Sequence, residues 1–110
     1  MIFVIGGAYQ GKTEYVKKTF PDKNITDSYH LEVKKQLEKG ENPMAEVEKL
    51  LQDEALDSMV IVSNDIGNGL VPTDDFERGY REMVGRVNCA IAAAAEQVIR
   101  IICGIPTRIK

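Results

Sequence analysis

The sequence predicts an α/β fold: a mostly parallel sheet of about four strands with helices on both faces. Three observations predict it. Met1-Ile2-Phe3-Val4-Ile5 is a short apolar run of β-formers leading directly into Gly6-Gly7-Ala8-Tyr9-Gln10-Gly11-Lys12-Thr13, which fits the pattern G-x-x-x-x-G-K-[ST]. Met59-Val60-Ile61-Val62 is an unbroken apolar run, the signature of a strand covered on both faces. Strand and helix patterns alternate as β-α-β-α-α-β-α-β, and helical crossovers join parallel strands. Opening on strand, glycine loop and helix makes the fold a small, three-layer, P-loop NTPase-like one. Residues 1–110 read as a single P-loop nucleotide-binding domain, with 44% hydrophobic and 28% charged residues.

The first helix starts at Thr13 and runs through Glu14, Tyr15, Val16, Lys17 and Lys18, with Pro21 beyond its end. Pro21-Asp22-Lys23 turns the chain into Asn24-Ile25-Thr26-Asp27, a short strand ending in a carboxylate. Tyr29, Val33 and Leu37 then recur at helical spacing. Asn42 caps the next helix with Pro43 at its first position, and Met44, Val47, Leu50 and Leu51 make its buried stripe. Ser58 to Asn64 is the clearest interior strand, followed by the glycine-rich loop Asp65 to Pro72. Thr73 caps a long helix whose seam is Phe76, Tyr80, Met83, Val87, Ala90 and Ala94, interrupted by Gly85. Val98 to Cys103 is the last strand, and Gly104 to Lys110 a tail.

The chemistry lies where such sheets bind ligands, beyond the carboxyl ends of the strands. Backbone amides of Gly6, Gly7, Ala8, Tyr9, Gln10, Gly11, Lys12 and Thr13 suit a phosphate chain at a helix N-terminus, where the helix dipole favours negative charge. Lys12 is placed to reach the β- and γ-phosphates as a catalytic cation, and Thr13 to ligate Mg²⁺. Asp27 ends a neighbouring strand, the usual place for a carboxylate that organises the metal, although it also stands where a helix N-cap would. Asn64 and Asp65 are candidate contacts to substrate or nucleotide. Asp65 is a second candidate for the metal, or else initiates the turn into Gly67. His30, the only histidine, lies in the first turn of a helix pattern and reads as a packed or surface residue. Arg78, Arg81 and Arg86 read as a solvated face.

The net charge of −3 offers no general attraction to nucleic acid or to an anionic membrane, and the five-residue apolar start is too short to span one. Cys89 and Cys103, without C-x-x-C spacing, read as small buried hydrophobes, which suits a reducing cytoplasm. No [NT]-K-x-D pattern chooses between ATP and GTP as phosphoryl donor.

Several segments resemble one family. Ile5 to Thr13 looks like its opening GGARSGKS loop, and Val60 to Pro72 is similar to its VSNEVGxGxVP segment. Gly85-Arg86-Val87-Asn88 through Gln97-Val98 matches its GRVNQxLAAAADEV helix, and Cys103-Gly104-Ile105-Pro106 resembles its closing SGIP. The family is the bifunctional adenosylcobinamide kinase / adenosylcobinamide-phosphate guanylyltransferase of cobalamin biosynthesis. The resemblance implies phosphoryl transfer from ATP or GTP, with Mg²⁺, to the aminopropanol hydroxyl of adenosylcobinamide, by a cytoplasmic homo-oligomer that is a trimer. The middle of this chain departs from the family. Nothing fits its histidine-bearing H-x-x-x-R-P helix, which accepts GMP, and Tyr9-Gln10 stand where the family has Arg-Ser. On this alignment Asp27 takes the magnesium-organising position and His30 is not the GMP acceptor. A shortened member that lacks ordinary histidine guanylylation is therefore expected. The alternatives are a catalytically inactive nucleotide-binding regulatory or assembly protein on the same scaffold, or another small P-loop kinase or NTPase.

Overall fold

A computed structural model describes residues 1–65 and 74–110. Its elements are β1 (Ile2–Gly6), α1 (Lys12–Thr19), β2 (Asn24–Thr26), α2 (Tyr29–Glu38), α3 (Pro43–Leu51), β3 (Met59–Asn64), α4 (Asp75–Ala94), β4 (Gln97–Ile102) and β5 (Ile105–Arg108). They build a P-loop NTPase-like α/β fold around one five-stranded sheet of order β2-β3-β1-β4-β5. The first four strands are parallel, and β5 runs antiparallel to β4.

Strand β1 is central because both of its edges are paired: Phe3 lies beside Ile61 and Val98, and Val4 beside Val62 and Ile99. Alternation along the strands sends these two rows to opposite faces. The Phe3 row packs with Tyr29, Val33, Val47, Tyr80, Val84, Val87 and Ile91 under α2, α3 and α4. The Val4 row packs with Val16 of α1, Val60 and Ile101. Each fully buried side chain of this size contributes roughly 1.5–3 kcal/mol by leaving water. An uninterrupted apolar β3, buried from Met59 through Ser63, is the direct consequence of being covered from both sides.

Four expectations are corrected. The sheet has five strands because Ile105–Arg108 pairs with β4 instead of trailing as a tail. Cys103 (φ 52°) and Gly104 (φ 74°) both have positive φ, the type I′ pattern that closes a two-residue hairpin between Ile102 and Ile105. With all four residues exposed and Pro106 inside, β5 is an edge strand and carries none of the hydrophobic alternation that marks strands in a sequence. The cap of α4 is Asp74, whose Oδ1 accepts from the amides of Phe76 at 2.7 Å and Glu77 at 3.3 Å; the predicted cap, Thr73, lies outside the described residues, as does the Ile66–Pro72 part of the glycine-rich loop. The buried seam of α4 is Tyr80, Val84, Val87 and Ile91, so Phe76 and Ala94 face outward. That register also exposes Cys89, and the hairpin turn exposes Cys103, so burial of thiols gives no argument about compartment. Arg86 does join a solvated pair with Glu82 at 2.8 Å.

The caps of α3 follow the expected chemistry: the Asn42 side chain accepts from the Met44 amide at 3.1 Å and Pro43 opens the helix. Among the described residues no helix is long and apolar enough to cross a membrane.

Candidate functional site

The glycine loop leaves the carboxyl end of β1 and enters α1 at Lys12, so the unpaired amides of the first helical turn face the end of the sheet. Gly6 ends β1 in close contact with the next strand: a Cβ there would lie 2.5 Å from the Ile101 carbonyl oxygen. Gln10 ties the loop to the β4–β5 hairpin. Its side-chain carbonyl accepts from the Cys103 amide, and its backbone carbonyl accepts from the Gly104 amide at 3.2 Å. This brace was invisible while the terminal segment read as a tail. The signal available for it was Cys-Gly between isoleucines.

Lys12 is 8% exposed and its Nζ donates to the Gly7 carbonyl at 2.6 Å. Burial pushes its pKa below the ordinary lysine value, and the Asp27 carboxylate pushes back. Thr13 Oγ1 donates to Asp27, 3.1 Å from Oδ2 and 3.3 Å from Oδ1. Asp27 reaches this position because β2 pairs with β3 and stops at Thr26, one residue short of it. The predicted alternative, a capping role for Asp27, is not what the chain does. Ser28 is the N-cap of α2 and makes no side-chain cap bond, and its hydroxyl instead lies 3.4 Å from Asp27 Oδ1.

Lys12, Thr13, Asp27 and Asn64 line one cavity of about 270 Å³, with Ala8, Tyr9, Ser28, His30, Val62 and Ser63. Tyr9 and Ser28 both hold left-handed backbone (φ 59° and 53°). For non-glycine residues that costs of order 1–3 kcal/mol each, strain of the kind that concentrates at functional sites. Thr13 and Asp27 present hard oxygens of the type Mg²⁺ selects. Among the described residues no group of three or more His, Cys, Asp or Glu side chains is arranged to hold a metal. A cation at this pair would therefore complete its shell with phosphate and water oxygens. Amides, one cation and an oxygen pair around a small cavity can hold a polyphosphate with its metal.

Two predicted residues separate here. Asn64 lines the cavity, whereas Asp65 lines a second cleft with Gly7, Gln10, Arg100, Ile101 and Ile102. The Asp65 carboxylate stands 3.8 Å from Arg100, and its amide donates to the Gly6 carbonyl at 2.9 Å.

His30 is the residue that sequence reasoning undervalued. It packs as expected, 9% exposed, with its carbonyl accepting from the Tyr80 hydroxyl at 2.9 Å. Yet it also lines the cavity, and its Nδ1 accepts from the Asn64 amide at 3.1 Å. Burial, and then the charge of Lys12, lowers its pKa, with Asp27 opposing. The unfolded chain therefore takes up this proton first. Stability from His30 is fully present above the ordinary histidine value of about 6.5, declines as pH falls below it, and levels off below the folded pKa. Urea unfolding of wild type and His30→Asn at pH 7 and 5.5 is expected to show the larger loss in wild type. Equal losses would remove His30 as the cause.

Residues 24–109 match the model of the family described as cobinamide kinase / cobinamide phosphate guanyltransferase. Two similar curated proteins are the bifunctional adenosylcobalamin biosynthesis protein CobU of Salmonella typhimurium (strain LT2) and that of Escherichia coli (strain K12). Each is 42% identical over 52 residues, which is 47% of this chain and 29% of the relative. The chain thus covers under a third of the length of the curated relatives it matches.

Proposed function

This chain belongs to the cobinamide kinase / cobinamide phosphate guanyltransferase family, and on that premise we propose that it transfers the γ-phosphoryl group of ATP or GTP to the aminopropanol hydroxyl of adenosylcobinamide in cobalamin biosynthesis. The observation that carries this reading is the meeting of Lys12, Thr13 and Asp27 at one cavity, with a bond between residues 14 positions apart. The proposed nucleotide-binding unit spans residues 1–110. It works in the cytoplasm as a homo-oligomer, trimeric by the family resemblance. No guanylyl transfer through a histidine phosphoramidate is assigned to it.

Loop amides from Gly6 to Thr13 hold the phosphate chain. Lys12 Nζ, exchanging the Gly7 carbonyl for phosphate oxygens, balances charge growing on the β–γ bridging oxygen as that bond breaks. The acceptor hydroxyl oxygen forms the new bond to the γ-phosphorus on the opposite side, and its proton passes to a transferred phosphoryl oxygen or to water as that bond forms. Thr13 and Asp27 would hold Mg²⁺, which when bound neutralises phosphate charge. Asn64 orients the acceptor side, and Asp65 in its separate cleft contacts the bound substrate or nucleotide, not the metal.

The test is to incubate the protein with adenosylcobinamide, Mg²⁺ and γ-labelled ATP or GTP, following phosphorylated corrinoid by mass spectrometry. Asp27→Asn, which keeps the shape and removes the charge, is expected to cost about 10²-fold or more in kcat. Nucleotide binding with no phosphorylated corrinoid from wild type would instead favour the regulatory or assembly role.

A further inference from the structure

The Asn64 amide decides the state of the imidazole beside the cavity. Because Nδ1 of His30 accepts that N–H at 3.1 Å, Nδ1 carries no proton, and in the neutral ring the proton sits on Nε2. Nε2 has no hydrogen-bond partner among the described residues, although the ring lines the cavity with Lys12 and Asp27. The backbone on both sides of that bond is fixed: the Tyr80 hydroxyl donates to the His30 carbonyl at 2.9 Å, and Asn88 Nδ2 donates to the carbonyl of Asn64, the residue that anchors Nδ1, at 3.5 Å.

We propose that His30 is a catalytic hydrogen-bond donor of this site, its Nε2–H meeting an oxygen of the phosphoryl group in transfer. This rests on the phosphoryl-transfer reading above and adds a residue to it. The tautomer excludes the other roles open to a histidine. With Nδ1 engaged and Nε2 protonated, the ring offers no lone pair to attack phosphorus or to take the acceptor's proton. The proton on Nε2 stays there throughout, and only a hydrogen bond shortens as charge grows on the equatorial oxygens. Burial, and then proximity to Lys12, favour the neutral ring against the opposing charge of Asp27.

Two substitutions separate this donor from a merely structural anchor. His30→Asn keeps an acceptor near the position of Nδ1, so it retains the Asn64 bond and loses the distal N–H. His30→Gln places an N–H near the position of Nε2 and loses the anchor. Affinity is measured for a Mg²⁺–nucleoside diphosphate (ADP or GDP), alone and with aluminium fluoride as a planar mimic of the phosphoryl group, alongside thermal unfolding and turnover. His30→Asn is expected to melt like wild type and bind the diphosphate within about twofold, while losing about 100-fold in fluoride-complex affinity and in kcat. His30→Gln is expected to melt lower yet regain most of both. If His30→Asn keeps wild-type fluoride affinity and kcat while His30→Gln loses them, His30 is only an anchor and the proposal is overturned. If wild type binds no nucleoside diphosphate at all, the phosphoryl-transfer reading falls, and the donor assignment falls with it.

Discussion

Replacing Lys12 with methionine is expected to lower kcat/KM by about 10³-fold while leaving the folded state intact. The side chain is 8% exposed and its ammonium is bonded to the Gly7 carbonyl, inside the loop that would hold the phosphates. Removing a positioned charge from such a site costs of order 10²–10³ in rate, and a lysine that also binds the ground-state phosphates adds a loss of affinity. Stability should move the other way or hardly at all. Burial already disfavours the charged amine, as its lowered pKa records, and methionine fills similar volume without that cost. The single bond lost to Gly7, made by a charged donor, is worth about 1.5–3 kcal/mol and offsets that gain. Calorimetric titration with ATP and GTP, beside urea unfolding, checks both halves. A variant that still bound nucleotide with wild-type affinity would remove Lys12 from the site.

The second large effect is on stability. Gly6→Ala is expected to destabilise the protein by about 2–4 kcal/mol, because its Cβ would sit 2.5 Å from the Ile101 carbonyl oxygen. That oxygen belongs to backbone in the adjoining strand and cannot rotate away. Relief would require β1 and β4 to part where Gly6 pairs with Ile101. Since about 1 kcal/mol shifts the melting temperature of a small domain by roughly 4–8 °C, the change is large in a thermal scan. Gly85→Ala provides the contrast. Nothing lies within 4 Å of its added Cβ and it sits inside α4, so a gain of about 1 kcal/mol is expected. Equal behaviour of the two variants would contradict the packing described at the end of β1.

Local chemistry accounts for what could be read without coordinates. The glycine loop is one contiguous pattern, the Asn42–Pro43 cap is a bond between near neighbours, and the β3 core run reflects burial on both faces. These features need no knowledge of distant partners. The family resemblance drew on segments of the same contiguous kind, and the match over residues 24–109 agrees with it.

His30 and the hairpin at the end of the chain were of another kind. A lone histidine early in a helix pattern has many bland uses. Its relation to Asn64, 34 residues away, arises only when α2 packs over the end of β3. The β4–β5 hairpin hides because an edge strand buries little, so apolar alternation does not reveal it. Asn64 and Asp65 are neighbours in sequence, yet one lines the cavity and the other a separate cleft. The sequence by itself determined the loop, the parallel α/β layering and the family, all of which rest on contiguous pattern and period. Only the tertiary structure decided which side chains share a cavity and which nitrogen of His30 carries the proton. Those depend on crossovers that bring distant strand ends to one edge of the sheet, a distance no local pattern encodes.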